Sequence, residues 1–67
     1  MKYKNTVVLT ELARGQHYKM TFEDGDIIGV GVNRHGDVYE VINGAFEYDV
    51  LETYKLEAII NAKFELI

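Results

Sequence analysis

Three short runs rich in β-branched and aromatic residues, 16–22, 26–33 and 37–42, are separated by two glycine-bearing turn signals. No other feature constrains the fold as much. Asp24-Gly25, between the first two runs, reads as a two-residue hairpin. Asn33-Arg34-His35-Gly36, between the second pair, reads as a type I turn closed by a left-handed glycine, a three-residue loop with a bulge. The expectation is a three-stranded antiparallel meander.

Those turns imply a register. The first sets Tyr18 opposite Gly31 and Met20 opposite Gly29; the second sets Tyr39 opposite Gly31 and Val41 opposite Gly29. One face then carries Tyr18, Met20, Phe22, Ile27, Tyr39 and Val41, large side chains able to cover the two bare glycines. The other face carries an apolar patch of Ile28, Val30, Val32, Val38 and Ile42, with His17, Lys19 and Glu40 around it. If helices cover only the first face, the patch stays open, and an open patch of that size usually marks an interface. The reading is a homodimer, with the patch as interface and His17, Lys19 and Glu40 as its polar rim.

The chain ends are more ambiguous. Residues 6–14 suit a short helix, with Thr6 as N-cap, Gly15 just past the end, and Val8, Leu9, Leu12 and Ala13 on one face. The β-branched Val7 and Val8, within an alternation of Tyr3, Asn5, Val7 and Leu9, argue for a strand instead. In the tail, even positions from Phe46 to Leu66 are mostly apolar, a strand period too long for one strand. Thr53 as N-cap, Leu56, Ile59 and Ile60 at helical spacing, and Asn61 break it into a strand at 45–50, a helix at 54–61 and a strand at 63–67. The expected fold class is α+β: a three- to five-stranded antiparallel meander sheet with one or two short helices, one domain over 1–67.

At 67 residues such a core is thin, and with no cysteine neither disulfides nor cysteine-held zinc can reinforce it. Self-association would enlarge it. No apolar run reaches the roughly 20 residues of a membrane helix, and no signal peptide is visible, so a cytoplasmic location without membrane contact is expected. Seven basic and eleven acidic residues give a net charge of −4, a poor balance for nucleic-acid binding, where phosphate neutralisation dominates.

Motifs for chemistry are absent or incomplete. Gly29-Val30-Gly31 lacks the third glycine of a dinucleotide fingerprint, because position 34 is Arg34. His17 and His35 have no metal-ligand spacing, and Glu23, Asp24 and Asp26 lack the twelve-residue pattern of a calcium loop. No serine or cysteine supplies a nucleophile. The chain is expected to be a non-enzyme with no catalytic residues, no metal and no cofactor.

The run Leu12-Ala13-Arg14-Gly15-Gln16 followed by His17-Tyr18-Lys19, and the closing run Leu56 through Leu66, resemble small proteins of phages and prophages of Gram-positive bacteria. The resemblance covers about half of the chain and implies a helical start ending in glycine, a small antiparallel sheet, and a helix running into a last strand. It also implies an accessory protein in a bacterial host cell that binds a host or viral macromolecule. Some proteins of that layout sequester signalling nucleotides, but no nucleotide motif here carries that role over. Two alternatives stand beside this reading. One is an SH3- or Sm-like small barrel binding nucleic acid or peptide, with Lys2, Lys4, Arg14 and Lys19 clustered. The other is a nucleotide sponge at a dimer interface.

Overall fold

The computed structural model describes residues 6–67. Strand β1 (Thr6–Val7) leads into a 3-10 turn (Leu9–Glu11), followed by β2 (His17–Thr21), β3 (Ile27–Val32), β4 (Val38–Ile42) and β5 (Ala45–Asp49). Two single-turn helices, α1 (Val50–Thr53) and α2 (Leu56–Ile60), precede β6 (Lys63–Leu66). The sheet is antiparallel throughout, in the order β1-β6-β2-β3-β4-β5. Five strands of four to six residues match the expected α+β class, and the two-residue β1 extends one edge.

Both anticipated hairpins form, but the first loop differs. Gly25 N–H donates to Phe22 O at 2.9 Å, and Phe22 N–H donates to Asp26 O at 2.8 Å. The second hairpin repeats this, with Gly36 N–H on Asn33 O at 3.0 Å and Asn33 N–H on Asp37 O at 2.9 Å. Both loops therefore have three residues and end in a left-handed glycine, Gly25 at φ 96° and Gly36 at φ 90°. A two-residue type I′ loop needs positive φ at both central residues, and Asp24 does not adopt it. Its carboxylate instead accepts from Asp26 N–H at 3.0 Å, an Asx turn.

That extra loop residue shifts the β2–β3 pairing by one and moves every β2 side chain to the opposite face. Tyr18 pairs with Val30 and Met20 with Ile28, not with the glycines. The β3–β4 register, Gly31 opposite Tyr39 and Val32 opposite Val38, is as expected. One face now gathers Tyr18, Met20, Val30, Val32, Val38 and Phe64, each at most 5% exposed. Val50 and Ile59 from the helices and Ala62 close over it. Each fully buried large side chain contributes about 1.5–3 kcal/mol relative to exposure.

The interface patch of the sequence reading is consequently corrected. Val30, Val32 and Val38 lie in the core of a single chain, and Ile28 packs partly buried against it. Of the five residues only Ile42, at the far end of β4, is exposed. Glu40 is no rim residue either: it accepts a hydrogen bond from the Tyr54 hydroxyl at 2.8 Å. Tyr18 and Tyr39 fall on opposite faces, and the Tyr18 hydroxyl accepts from Ala13 N–H at 3.0 Å.

The N-terminal helix is reduced to the 3-10 turn. Val7 pairs with Phe64 in β1–β6, so the β-branched residues take the strand option. Glu11 folds back to accept from Val8 N–H at 3.0 Å. Tyr3 and Asn5 lie outside the described residues. In the tail, Asp49 rather than Thr53 caps a helix, its carboxylate accepting from Leu51 N–H at 3.0 Å, and Asn61 ends α2. Between β4 and β5, Asn43 and Gly44 have φ 53° and 81°, a type I′ pair that sequence reading missed although Asn-Gly is its strongest signal.

Candidate functional site

The face of the sheet turned away from the helices carries His17, Lys19, Ile27, Gly29, Gly31, Tyr39 and Val41. Phe46 joins it from β5, opposite Val41, as a consequence of the Asn43-Gly44 turn. Its ring reaches across β4 to lie over Gly31. A Cβ at position 31 would sit 2.8 Å from Phe46 Cε1 and 3.0 Å from His17 Cε1, so only glycine leaves room for both rings. The His17 and Phe46 rings lie 6.1 Å apart and within 12° of parallel, and Tyr39 flanks Phe46 at 5.8 Å. Phe46 nevertheless remains 47% exposed. Of the two glycines expected to be covered, Gly31 is, with Phe46 and His17 as the covering rings in place of Tyr18, whereas over Gly29 no side chain comes within 4 Å of where a Cβ would stand.

A groove of about 470 Å³ opens beside this stack, lined by Gly15, His17, Val32, Asn33, Arg34, His35 and Phe46. Two tethers fix its walls. Gly15 N–H donates to Val32 O at 2.8 Å and Val32 N–H to Gln16 O at 3.0 Å. The Asn33 carboxamide oxygen accepts from His35 N–H and Asp37 N–H, both at 2.9 Å, and holds the β3–β4 loop. Arg14 lies over the same loop, its Nε 3.3 Å from where a Gly36 Cβ would be.

Both arginines and both histidines of the chain thus gather at one end of the sheet, and no carboxylate lines the groove. Chemically this is an aromatic platform beside guanidinium and imidazole donors. Such a set stacks a planar ring and hydrogen-bonds an anion.

His17 and Lys19, expected at an interface rim, lie on this open face; Lys19 pairs with Glu65 at 3.2 Å. Of the basic cluster in the barrel alternative, Lys2 and Lys4 lie outside the described residues, while Arg14 lies over the β3–β4 loop and Lys19 pairs with Glu65. His17 and His35 do share the groove, but among the described residues no group of three metal-ligating side chains forms. Among the same residues no helix is long and apolar enough to cross a membrane. Comparison with protein-family models, curated proteins and solved structures finds no match to this chain.

Proposed function

We propose that the protein acts by binding, without catalysis, and that its ligand is a nucleotide unit: a planar base beside a phosphate, free or within a single strand. The half-exposed Phe46 ring, held parallel to His17 in a groove that has Arg34 and no carboxylate, carries this reading. Aromatic side chains on an exposed sheet face stack bases without regard to sequence, at about 1–3 kcal/mol per base. The planar guanidinium of Arg34 suits a phosphate, and the His35 imidazole adds a donor. The net charge of −4 opposes a long polyanion, so the ligand is short.

The strand order supports the same direction. Strands β2 to β5 form a meander whose first strand, β2, also pairs with β6, the order of the SH3- or Sm-like alternative, although among the described residues β1 and β5 do not pair with each other. The role is that of a phage or prophage accessory protein working in the host cytoplasm. Fluorescence anisotropy with labelled DNA and RNA oligonucleotides, beside calorimetry with mononucleotides, tests the proposal and separates strand from free nucleotide. Phe46→Ala is expected to remove about 1–3 kcal/mol of affinity, and Arg34→Gln to flatten the salt dependence. Absence of binding in both formats, or equal binding by Phe46→Ala, would overturn it.

A further inference from the structure

The Asn43-Gly44 turn that places Phe46 also carries a chemistry of its own. A backbone nitrogen attacks the preceding asparagine carboxamide most readily when it belongs to glycine, which has no Cβ to hinder the approach. Of the four asparagines in the sequence, only Asn43 precedes a glycine. Both residues are exposed, and no atom of the described residues lies within 4 Å of where a Gly44 Cβ would stand, so water reaches the turn. Among the described residues neither the Gly44 N–H nor the Asn43 carboxamide makes a hydrogen bond. The comparable pairs are tied. Ala62 N–H, the nucleophile beside Asn61, donates to Ile59 O at 3.2 Å. Gly25 N–H, beside Asp24, donates to Phe22 O at 2.9 Å. The Asn33 carboxamide oxygen already accepts from His35 N–H and Asp37 N–H, and the next residue is Arg34.

We infer that Asn43 is a site of spontaneous modification, whose conversion to isoaspartate withdraws Phe46 from Gly31. The Gly44 nitrogen gives its proton to solvent base and bonds to Asn43 Cγ. The Cγ–Nδ2 bond breaks, and that nitrogen takes up a proton and leaves as ammonia. Water then opens the cyclic imide. Opening at Cγ leaves ordinary aspartate; opening at the backbone carbonyl leaves a chain that runs through Cγ, one atom longer, with a free α-carboxylate. The turn joins β4 to the edge strand β5, so the rotation that brings the nitrogen onto Cγ opens one hairpin tip and not the core. A type I′ loop has no length to spare. The extra atom breaks the Ile42–Ala45 and Val41–Phe46 pairing that sets the ring over Gly31. On the nucleotide reading the groove then loses its platform, and the protein carries a limit on its binding lifetime.

The test incubates the folded protein in mildly alkaline buffer and maps its peptides over time with an isoaspartyl methyltransferase label. Label is expected at Asn43 well ahead of Asn33 and Asn61. In the isolated converted form, the upfield shift that the Phe46 ring imposes on the Gly31 Hα resonances is expected to be lost. Asn43→Gly keeps a two-residue loop of positive φ and should take no label there while retaining that shift. Asn43→Asp adds the charge without the extra backbone atom and should also retain it when fresh. Labelling of Asn43 no faster than of Asn61 would overturn the inference. So would a converted form that keeps the Gly31 shift, or loss of that shift in fresh Asn43→Asp. No readout uses a ligand, so the inference and the nucleotide reading fail separately.

Discussion

Two glycines on the same face of β3 are expected to respond to alanine with opposite signs. At Gly29 an added Cβ meets nothing closer than the Val41 carbonyl oxygen at 3.8 Å, an ordinary contact. Alanine in a strand interior recovers about 0.5–1 kcal/mol of the backbone entropy that glycine loses on folding. Gly29→Ala should stabilise by about that amount, raising Tm by a few degrees, since about 1 kcal/mol corresponds to about 4–8 °C in a domain of this size. At Gly31 the same atom would stand 2.8 Å from Phe46 Cε1 and 3.0 and 3.1 Å from His17 Cε1 and Nδ1. These are side-chain ends, so Phe46 swings outward and the backbone stays in place. The swing forfeits two aromatic pairs, with His17 and Tyr39, each about 0.5–1.5 kcal/mol. Set against the same entropy gain, the net is a loss of about 1 kcal/mol. Urea unfolding followed by circular dichroism measures both variants. In a Phe46→Ala background the closest contact is gone and only the His17 ring, at 3.0 and 3.1 Å, must give, so Gly31→Ala should cost less than in the wild-type background, a coupling of about 1 kcal/mol in a double-mutant cycle. Stabilisation by Gly31→Ala in the wild-type background, or strict additivity with Phe46→Ala, would refute the account of the ring over the glycine.

Val30 is 1% exposed, so Val30→Lys should unfold the chain at a cost of several kcal/mol, seen as loss of the circular dichroism signal. Ile42→Lys, at a position 40% exposed, should change stability by no more than about 0.5 kcal/mol. Burial, then the hydrogen bond to Glu40 and its charge, raise the Tyr54 phenol above its ordinary 10.0. The neutral phenol is therefore favoured in the folded state. Its contribution is complete below pH 10.0 and is lost as pH rises through the raised value. Denaturant melts across that window should fall less steeply for Tyr54→Phe than for wild type.

How far the sequence reveals this fold depends on individual turn residues. Gly36 marks its loop correctly because Asn33 and the glycine together define a type I turn with a bulge. Asp24-Gly25 misleads because the pair serves two turn types that differ by one residue in register. The distinction rests on the φ of Asp24, which no local pattern specifies. From that single residue follows the mistaken interface, since the alternation of β2 was right and only its phase was wrong. Thr6 and Val7 turn to strand through a partner, β6, more than fifty residues away along the chain, beyond the reach of local propensity. The site was partly legible. Asn43-Gly44, read as a type I′ turn, would have placed Phe46 opposite Val41 on the face of the glycines. The meeting of Arg34 and His35 with His17 depends on the register of three strands, which composition does not show; net charge, summed over the chain, conceals it.

The position of β6 bears on how the protein is made. Of the described strands it is the last to leave the ribosome, yet it sits inside the sheet between β1 and β2. Its Phe64 is fully buried. The meander from β2 to β5 closes through local turns and can zip as it emerges. The β2–β6 ladder must close a loop spanning most of the chain, an entropy cost met only after those turns have formed. During translation, β2 therefore waits with a bare edge and a core lacking its largest fully buried side chain. Selective arrest of synthesis before residue 63 would yield a nascent chain with native hairpins and no native core, prone to capture by any extended segment that can take the place of β6.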